Sequence, residues 1–264
     1  MLMMTAMSTD TPHRCPAEPA AFVADYAAWM WGCGATCIRT QKNVSRMAAA
    51  LGLDARLNIM PMHVQLAVSQ PDGTERVYER PMRCHGINFD LNSRLSRLSW
   101  AVADGRMSPE GARHEFDRCI HLPHTKAVRV LLLASLANAS FCRLFGGDVA
   151  SMLIVFVATL AGFRLKQVML ADGRDMRLAV LLAAFFSAAI GAAGHIFGIG
   201  ATPEIALGTS VLYLIPGVPY INAASDMIDR HYLCAFSRLM DAFVITACIT
   251  VGLCGGIFLL GLEV

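Results

Sequence analysis

Charged residues are scarce in this sequence. Only 16% of its 264 residues are Asp, Glu, Lys or Arg, against about 25% in an ordinary soluble domain. Most of these charges precede residue 127, and the remainder consists of apolar runs separated by short polar patches. The formal net charge of +2 is too small to indicate a nucleic-acid partner. The asymmetry predicts a soluble domain followed by a domain embedded in a lipid bilayer.

Motifs for catalysis and cofactor binding are also missing. The sequence contains no phosphate-binding loop, nucleophile elbow or His-Glu-x-x-His run, so it predicts neither an enzyme nor a cofactor. Its nine cysteines are an odd number and are scattered through both halves, several of them inside apolar runs, which argues against a disulfide framework and favours a reducing compartment for the soluble half. Residues 1–15 lack the apolar core of a signal peptide. We expect residues 1–19 to form a disordered tail.

Two groups of cysteine and histidine are candidates for chemistry. The first consists of four residues near the start of the apolar half: His114, Cys119, His121 and His124. Their spacing matches no regular zinc pattern, so a solvated helix end is the better interpretation and no metal is predicted. The second is Cys33 and Cys37, four residues apart on a predicted helix, which we interpret as buried structural thiols.

Residues 20–126 predict an α/β domain. Apolar periodicity indicates two helices over residues 20–51, a strand over 57–69 with imperfect alternation, a returning strand over 75–80, and helices over 92–103 and 108–120. Ser108 and Pro109 are an N-cap followed by a proline at the first helical position. Gly52 is expected to end the second helix.

Residues 127–264 predict an α-helical integral membrane domain. A spanning helix needs about 20 mostly apolar residues, and five stretches satisfy this: residues 127–145, 149–168, 178–197, 205–224 and 239–262. The first is the weakest because it contains Arg129, Asn138 and Arg143, which we expect neighbouring helices to shelter. The chain is thus expected to be a membrane protein of about five transmembrane helices with an N-terminal cytoplasmic α/β domain.

The distribution of Lys and Arg predicts how the chain is oriented. Basic residues follow the second and fourth predicted spans: Arg164, Lys166, Arg174, Arg177, Arg230 and Arg238. The loops after the first and third spans contain none, so the N-terminal domain is expected in the cytoplasm and the C-terminus outside. Transporters often pair two repeats of opposite topology. An odd span count therefore predicts that the other half is a separate polypeptide or an inverted second copy.

The fourth span is interrupted by two prolines and a glycine: Pro216, Gly217 and Pro219. Each proline deprives the carbonyl four residues earlier of its partner, which concerns Leu212 and Ile215. If a helix restarts at Pro219, the N–H groups of Tyr220 and Ile221 are open to an anion such as a substrate carboxylate.

Asn222 and Asp226 follow the break four residues apart, so they share a helix face. Asp226 is expected either to carry a coupling proton or to pair with an arginine such as Arg238. These residues, with Pro216, Gly217, Pro219 and Tyr220, form the predicted transport path. The alternative is that the break only kinks the helix for packing, with Asn222 bonded to a neighbour.

The run from Leu212 to Met227 reads LYLIPGVPYINAASDM. It resembles the signature of the threonine/serine exporter (ThrE-like) family, in which a Pro-Gly-x-Pro run precedes Ile-Asn-Ala and then Asp-Met. The segments His85 to Asn88 and Gly146 to Asp148 also have counterparts in that family, and the resemblance extends over about residues 20–262.

The resemblance implies gradient-driven export of a small carboxylate or amino acid, either threonine and serine or succinate, across a bacterial inner membrane. The length of the chain is similar to that of the YjjP-type large subunits of the family, which work with a small YjjB-type partner. Two other functions stay open: a membrane-anchored hydrolase, and a regulatory subunit that does not itself transport.

Overall fold

The computed structural model describes residues 17–70, 72–83, 86–122 and 125–261. The chain divides into two compact units. One comprises the described residues up to 122 together with 229–234, and the other comprises residues 125–228 and 235–261. Residues 1–16, most of the predicted tail, lie outside the described part. Helix α1 begins at Ala17, three residues before the predicted start of the first domain.

The first unit contains a three-stranded sheet and four helices. In chain order the elements are α1 (Ala17–Gly32), α2 (Cys37–Ala50), β1 (Ala55–Ile59), β2 (His63–Ser69), β3 (Glu75–Pro81), α3 (Phe89–Ala103) and α4 (Pro109–Ile120). The strands are antiparallel in the order β1-β2-β3. The mixture of helices and strands agrees with the prediction for this part of the chain.

The strand predicted over residues 57–69 is in fact two strands. The chain reverses after Ile59, and the N–H of Met60 donates to the carbonyl of His63 at 3.0 Å. Ile59 and Val64 are then paired across β1 and β2. The imperfect alternation of apolar residues marks this reversal, because each strand begins its own two-residue period.

Helix α1 lies at the centre of the first unit and contacts the other three helices and strands β2 and β3. Its sequence is apolar on all sides, which suits a helix that is buried all round. Tyr26 is fully buried, and its hydroxyl donates to the carbonyl of Leu95 at 2.9 Å. Asp25 is the one carboxylate among the described side chains of α1, and it pairs with Arg80 of β3 at 2.6 Å.

The predicted helix ends are confirmed at two positions. The side chain of Ser108 accepts a hydrogen bond from the N–H of Gly111 at 3.2 Å, with Pro109 as the first residue of α4. Gly52 has a φ of +71° just after α2, where the following N–H of Leu53 reaches back to the carbonyl of Ala48. This left-handed turn is why glycine suits the position.

One of the two cysteine-containing groups is placed differently from the prediction. Cys33 follows α1 and Cys37 begins α2, so the expectation that they share a helix is wrong; both are buried. Gly34, with a φ of +89°, makes the turn between them. His124 lies outside the described residues. Among those that are described, no three His, Cys, Asp or Glu side chains are grouped as metal ligands would be.

The second unit is helical. Its elements are α5 (Ala127–Leu144), α6 (Val149–Ala171), α7 (Met176–Gly191), α8 (Ala193–Phe197), α9 (Pro203–Thr209), a 3-10 helix (Leu212–Leu214), α10 (Gly217–Ile228) and most of α11 (Tyr232–Leu259). In the described part of the chain, four helical stretches are long and apolar enough to cross a membrane, α7 and α8 forming one of them, and a bent pair makes a fifth if it counts as one span. The chain is a multi-pass membrane protein, as predicted.

Several charged residues lie on helices rather than in loops. Arg164 and Lys166, which the orientation argument counted after the second span, lie on α6, and this helix ends three residues after the predicted span. Helix α11 begins seven residues earlier than predicted and includes Arg238.

Of the three α5 residues that neighbouring helices were expected to shelter, two differ from expectation. Asn138 is buried, but Arg129 and Arg143 are exposed within this chain. The predicted shelter therefore holds for Asn138 alone.

Candidate functional site

The break in the fourth predicted span lies at Ile215. Helix α9 and the 3-10 helix form one arm, α10 forms the other, and the two arms are bent by 59°. Ile215 has φ −59° and ψ 126°, the extended conformation that a following proline favours. The predicted interruption is confirmed, but α10 begins at Gly217, two residues before the predicted restart.

The backbone groups predicted to be open at the break are occupied. The carbonyl of Leu212 accepts from the N–H of Ile215 at 3.2 Å, and the carbonyl of Ile215 accepts from the N–H of Gly217 at 2.9 Å. The N–H of Tyr220 donates to the carbonyl of Pro216 at 3.3 Å. Pro219 is the third residue of α10, in the first turn, where a helix has no partner for an N–H. The prediction that Tyr220 offers an open N–H to an anion is therefore wrong.

The predicted carboxylate and arginine form a buried ion pair. The guanidinium of Arg238 on α11 donates to Oδ2 of Asp226 on α10 at 2.9 Å. The Asp226 side chain is 0% exposed and that of Arg238 is 16% exposed. Of the two roles considered for Asp226, the structure shows the pairing with Arg238. Asn222 lies one turn before Asp226 and is half-buried.

A second polar contact joins the same two helices. The hydroxyls of Tyr220 on α10 and Thr246 on α11 are 2.9 Å apart, and the Thr246 hydroxyl donates to the carbonyl of Ala242. The Tyr220 hydroxyl is therefore the donor to Thr246. The α10 arm is thus attached to α11 at two points, one of which is charged.

The other arm is attached to α6 and α7 by hydroxyl groups. Tyr213 of the 3-10 helix has its hydroxyl 2.9 Å from Oγ of Ser187 on α7, and Ser187 Oγ lies 3.2 Å from the carbonyl of Ala158 on α6. Gly162 of α6 faces these hydroxyls so closely that a Cβ there would overlap both. We refer to Gly162, Ser187 and Tyr213 as the hydroxyl cluster.

Asn138 extends this polar region to α5. Its Nδ2 donates to Oγ1 of Thr159 at 2.7 Å and to the carbonyl of Thr209, the last residue of α9, at 3.1 Å. Asn138, Thr159 and Thr209 are each at most 5% exposed. A buried amide that satisfies the end of an interrupted helix fits the rule that irregular backbone at membrane depth must find partners inside the protein.

These polar contacts were hard to predict from sequence patterns. A serine in an alanine-rich span such as Ser187 often bonds only to its own helix, so its role depends on the neighbour that the fold supplies. Tyr213 was the residue that could have indicated a polar contact, because its hydroxyl lies three residues before Pro216 in a mostly apolar run.

Asp148 holds the start of α9 against the start of α6. It caps α6 by accepting from the N–H of Ser151 at 2.8 Å, and its other oxygen accepts from the N–H of Ala201 at 2.8 Å. Its carboxylate also accepts from the hydroxyl of Thr202. The hydrogen bonds from Ser151 and Ala201 lower the pKa of Asp148 to about 2, because they favour the charged carboxylate.

We expect Asp148→Ala to lower the thermal unfolding temperature of the detergent-solubilised chain. A carboxyl whose pKa is lowered by folding stabilises the protein above its unfolded pKa, and that contribution is lost as the pH falls toward about 2. The difference in unfolding temperature between Asp148→Ala and wild type should therefore be constant between pH 5 and 8 and should shrink below about pH 4. Asp172→Ala, an exposed carboxylate at the other end of α6, is the control. Equal effects of both variants would contradict the prediction.

Comparisons with known proteins point to one family. The family model described as "Putative threonine/serine exporter" matches residues 21–260. The "Probable succinate transporter subunit YjjP" of Escherichia coli K12 is 26% identical over 83% of this chain and 86% of its own length. The protein of the same name from Klebsiella aerogenes is 23% identical over 87% and 89%.

A longer relative is the "Probable threonine/serine exporter" of Mycobacterium tuberculosis H37Rv. It is 23% identical over 66% of this chain, and the match spans 33% of the exporter's own length. No solved structure matches this chain significantly.

Proposed function

We propose that this chain, which belongs to the threonine/serine exporter family, is the large subunit of an exporter of small carboxylates or amino acids. In this proposal it works in a bacterial inner membrane with a small YjjB-type membrane subunit and uses an ion gradient. The exported compound is succinate, or threonine and serine. The interrupted α9–α10 segment belongs to the path, with Pro216, Gly217, Pro219, Tyr220, Asn222, Asp226 and Arg238.

The observation that carries the proposal is the buried pair of Asp226 and Arg238 beside an interrupted span. Ionisable groups inside a membrane domain are costly, and they commonly mark substrate or ion pathways. Interrupted helices near such groups are a recurring way to build transporter sites. Packing alone needs neither charge, because apolar residues of similar volume often stabilise such a position equally well.

The similar proteins support a partner subunit. Two relatives that this chain matches over most of their length are named as subunits, and the mycobacterial exporter contains about twice as much sequence again beyond the match. In the proposed complex, a separate membrane chain supplies the part that corresponds to this additional sequence. Driving by a gradient is proposed because the sequence has no phosphate-binding loop for ATP.

Basic residues that remain in loops support the proposed orientation. Arg174 follows α6 and Arg230 follows α10, whereas the segments 145–148 and 198–202 contain no Lys or Arg. By the positive-inside tendency, the N-terminal domain is proposed to be cytoplasmic and the C-terminus external.

Reconstitution into vesicles tests the function. The full chain is incorporated with a YjjB-type subunit, the partner alone serves as one control, and movement of labelled succinate, threonine and serine is followed under an imposed proton gradient. We expect saturable flux only when both subunits and the gradient are present. Full flux with the partner alone would identify this chain as a regulatory subunit that does not itself transport. A hydrolytic activity of this chain without any flux would identify it as a membrane-anchored hydrolase.

A further inference from the structure

Lys166 is a cation inside the membrane unit whose charge is not neutralised there. It lies on α6 and is half-buried. Among the residues that the structure describes, no carboxylate is within ion-pair distance of its ammonium group and no hydrogen bond engages it. Arg238 differs, because the fully buried Asp226 already neutralises it. A substrate anion therefore meets an uncompensated positive charge at Lys166 and a self-neutralised pair at Arg238.

Helix geometry directs Lys166 toward the hydroxyl cluster. Lys166 follows Gly162 by four residues, so both lie on one face of α6, with neighbouring positions about 6 Å apart. Side chains on a helix lean toward its N-terminus, so we expect the Lys166 chain over the turn that contains Gly162. The hydroxyls of Ser187 and Tyr213 occupy the space beside Gly162 where a Cβ would otherwise lie.

Arg164 shows what an ordinary basic residue does on this helix. It lies two residues before Lys166, which places it on the opposite side of α6, and it is exposed. Long basic side chains near the end of a span commonly extend toward the interface in this way. Lys166 lies on the face that carries Gly162, which is buried against α7 and the 3-10 helix.

We propose that Lys166, with the hydroxyls of Ser187 and Tyr213, binds a carboxylate of the exported compound. Lys166 supplies the charge, and the two hydroxyls donate to the carboxylate oxygens once their contact with each other opens. The inference rests on the proposed function and adds to it a binding residue on α6. Succinate, threonine and serine all carry the required group.

The Lys166 site and the Asp226–Arg238 pair involve different helices. Lys166 lies on α6, with Ser187 on α7 and Tyr213 on the 3-10 helix, whereas Asp226 and Arg238 lie on α10 and α11. The two sites can therefore be tested separately.

The test compares Lys166→Met with Arg164→Met in the reconstituted pair of subunits. Charge-assisted hydrogen bonds are worth roughly tenfold to a hundredfold in affinity. We expect Lys166→Met to raise the concentration for half-maximal flux of labelled succinate or threonine at least about tenfold, with the amount of inserted protein unchanged. Arg164→Met should change it less than twofold. Equal effects of the two variants overturn the inference.

Chemical rescue separates charge from folding. Lys166→Cys treated with 2-aminoethyl methanethiosulfonate regains an ammonium at nearly the length of lysine. We expect recovery of flux toward the wild-type value, and none in Lys166→Met treated in the same way. Failure of the treated cysteine variant to recover overturns the inference. If the wild-type pair of subunits moves none of the three compounds, the proposed function itself fails. If the wild type transports and Lys166→Met transports with the same half-maximal concentration, only this inference is overturned.

Discussion

Asp226→Asn is expected to abolish export while the protein remains inserted in the membrane. The substitution keeps the size of the side chain but removes the charge that neutralises Arg238, which is only 16% exposed. Breaking a buried ion pair by changing one partner typically costs about 3–5 kcal/mol of stability, because the other charge is left uncompensated. Arg238→Met should have a similar cost, since it leaves the buried carboxylate of Asp226 without the charge of Arg238. Flux in vesicles and unfolding temperature in detergent are the two measurements.

The double variant Asp226→Asn with Arg238→Met separates stability from transport. Removing both charges eliminates the uncompensated ion, so the unfolding temperature should return most of the way to wild type. Flux should stay absent, because the path has lost this pair of ionisable groups. Asp229→Asn, an exposed carboxylate just after α10, is the control and should transport normally. Wild-type flux in the double variant would reduce the pair to a packing feature.

The interruption of the fourth span could be predicted because proline acts through local chemistry. Pro216 constrains the residue before it and lacks an N–H whatever surrounds it, and Ile215 is extended as a result. The exact restart could not be predicted. Pro219 is compatible with the first turn of a helix as well as with a break. Hydrogen bonds between residues close in the sequence satisfy the carbonyls of Leu212 and Ile215, which the prolines leave without helical partners.

The partners of the polar residues depended on three-dimensional packing. Pairing of Asp226 with Arg238 was one of two roles expected from the sequence, but it requires α11 to begin early enough to include Arg238, which hydropathy did not indicate. Asn138 meets the carbonyl of Thr209 across 71 residues. The end of α6 was closer to expectation, because the helix ends at Ala171, three residues after the predicted span.

Gly162→Ala is expected to destabilise the membrane unit and to stop transport. An added Cβ would overlap the hydroxyls of Ser187 and Tyr213, and it would lie 3.0 Å from the carbonyl of Ala183, a backbone group of α7 that cannot rotate away. Overpacking of this kind typically costs about 1–3 kcal/mol. Gly208→Ala in α9 is the matched control, because nothing lies within 4 Å of its added Cβ. It should be neutral or stabilising by up to about 1 kcal/mol, since alanine is the better helix former.

A compensated variant then distinguishes packing from chemistry at the hydroxyl cluster. Combining Gly162→Ala with Ser187→Ala and Tyr213→Phe removes both overlapping hydroxyls, so most of the lost unfolding temperature should return. Flux should not return, because a carboxylate at Lys166 then has no hydroxyl donors. Recovery of both stability and flux would mean that the cluster serves packing only. Identical unfolding temperatures of Gly162→Ala and Gly208→Ala would show that α6, α7 and the 3-10 helix do not approach one another so closely.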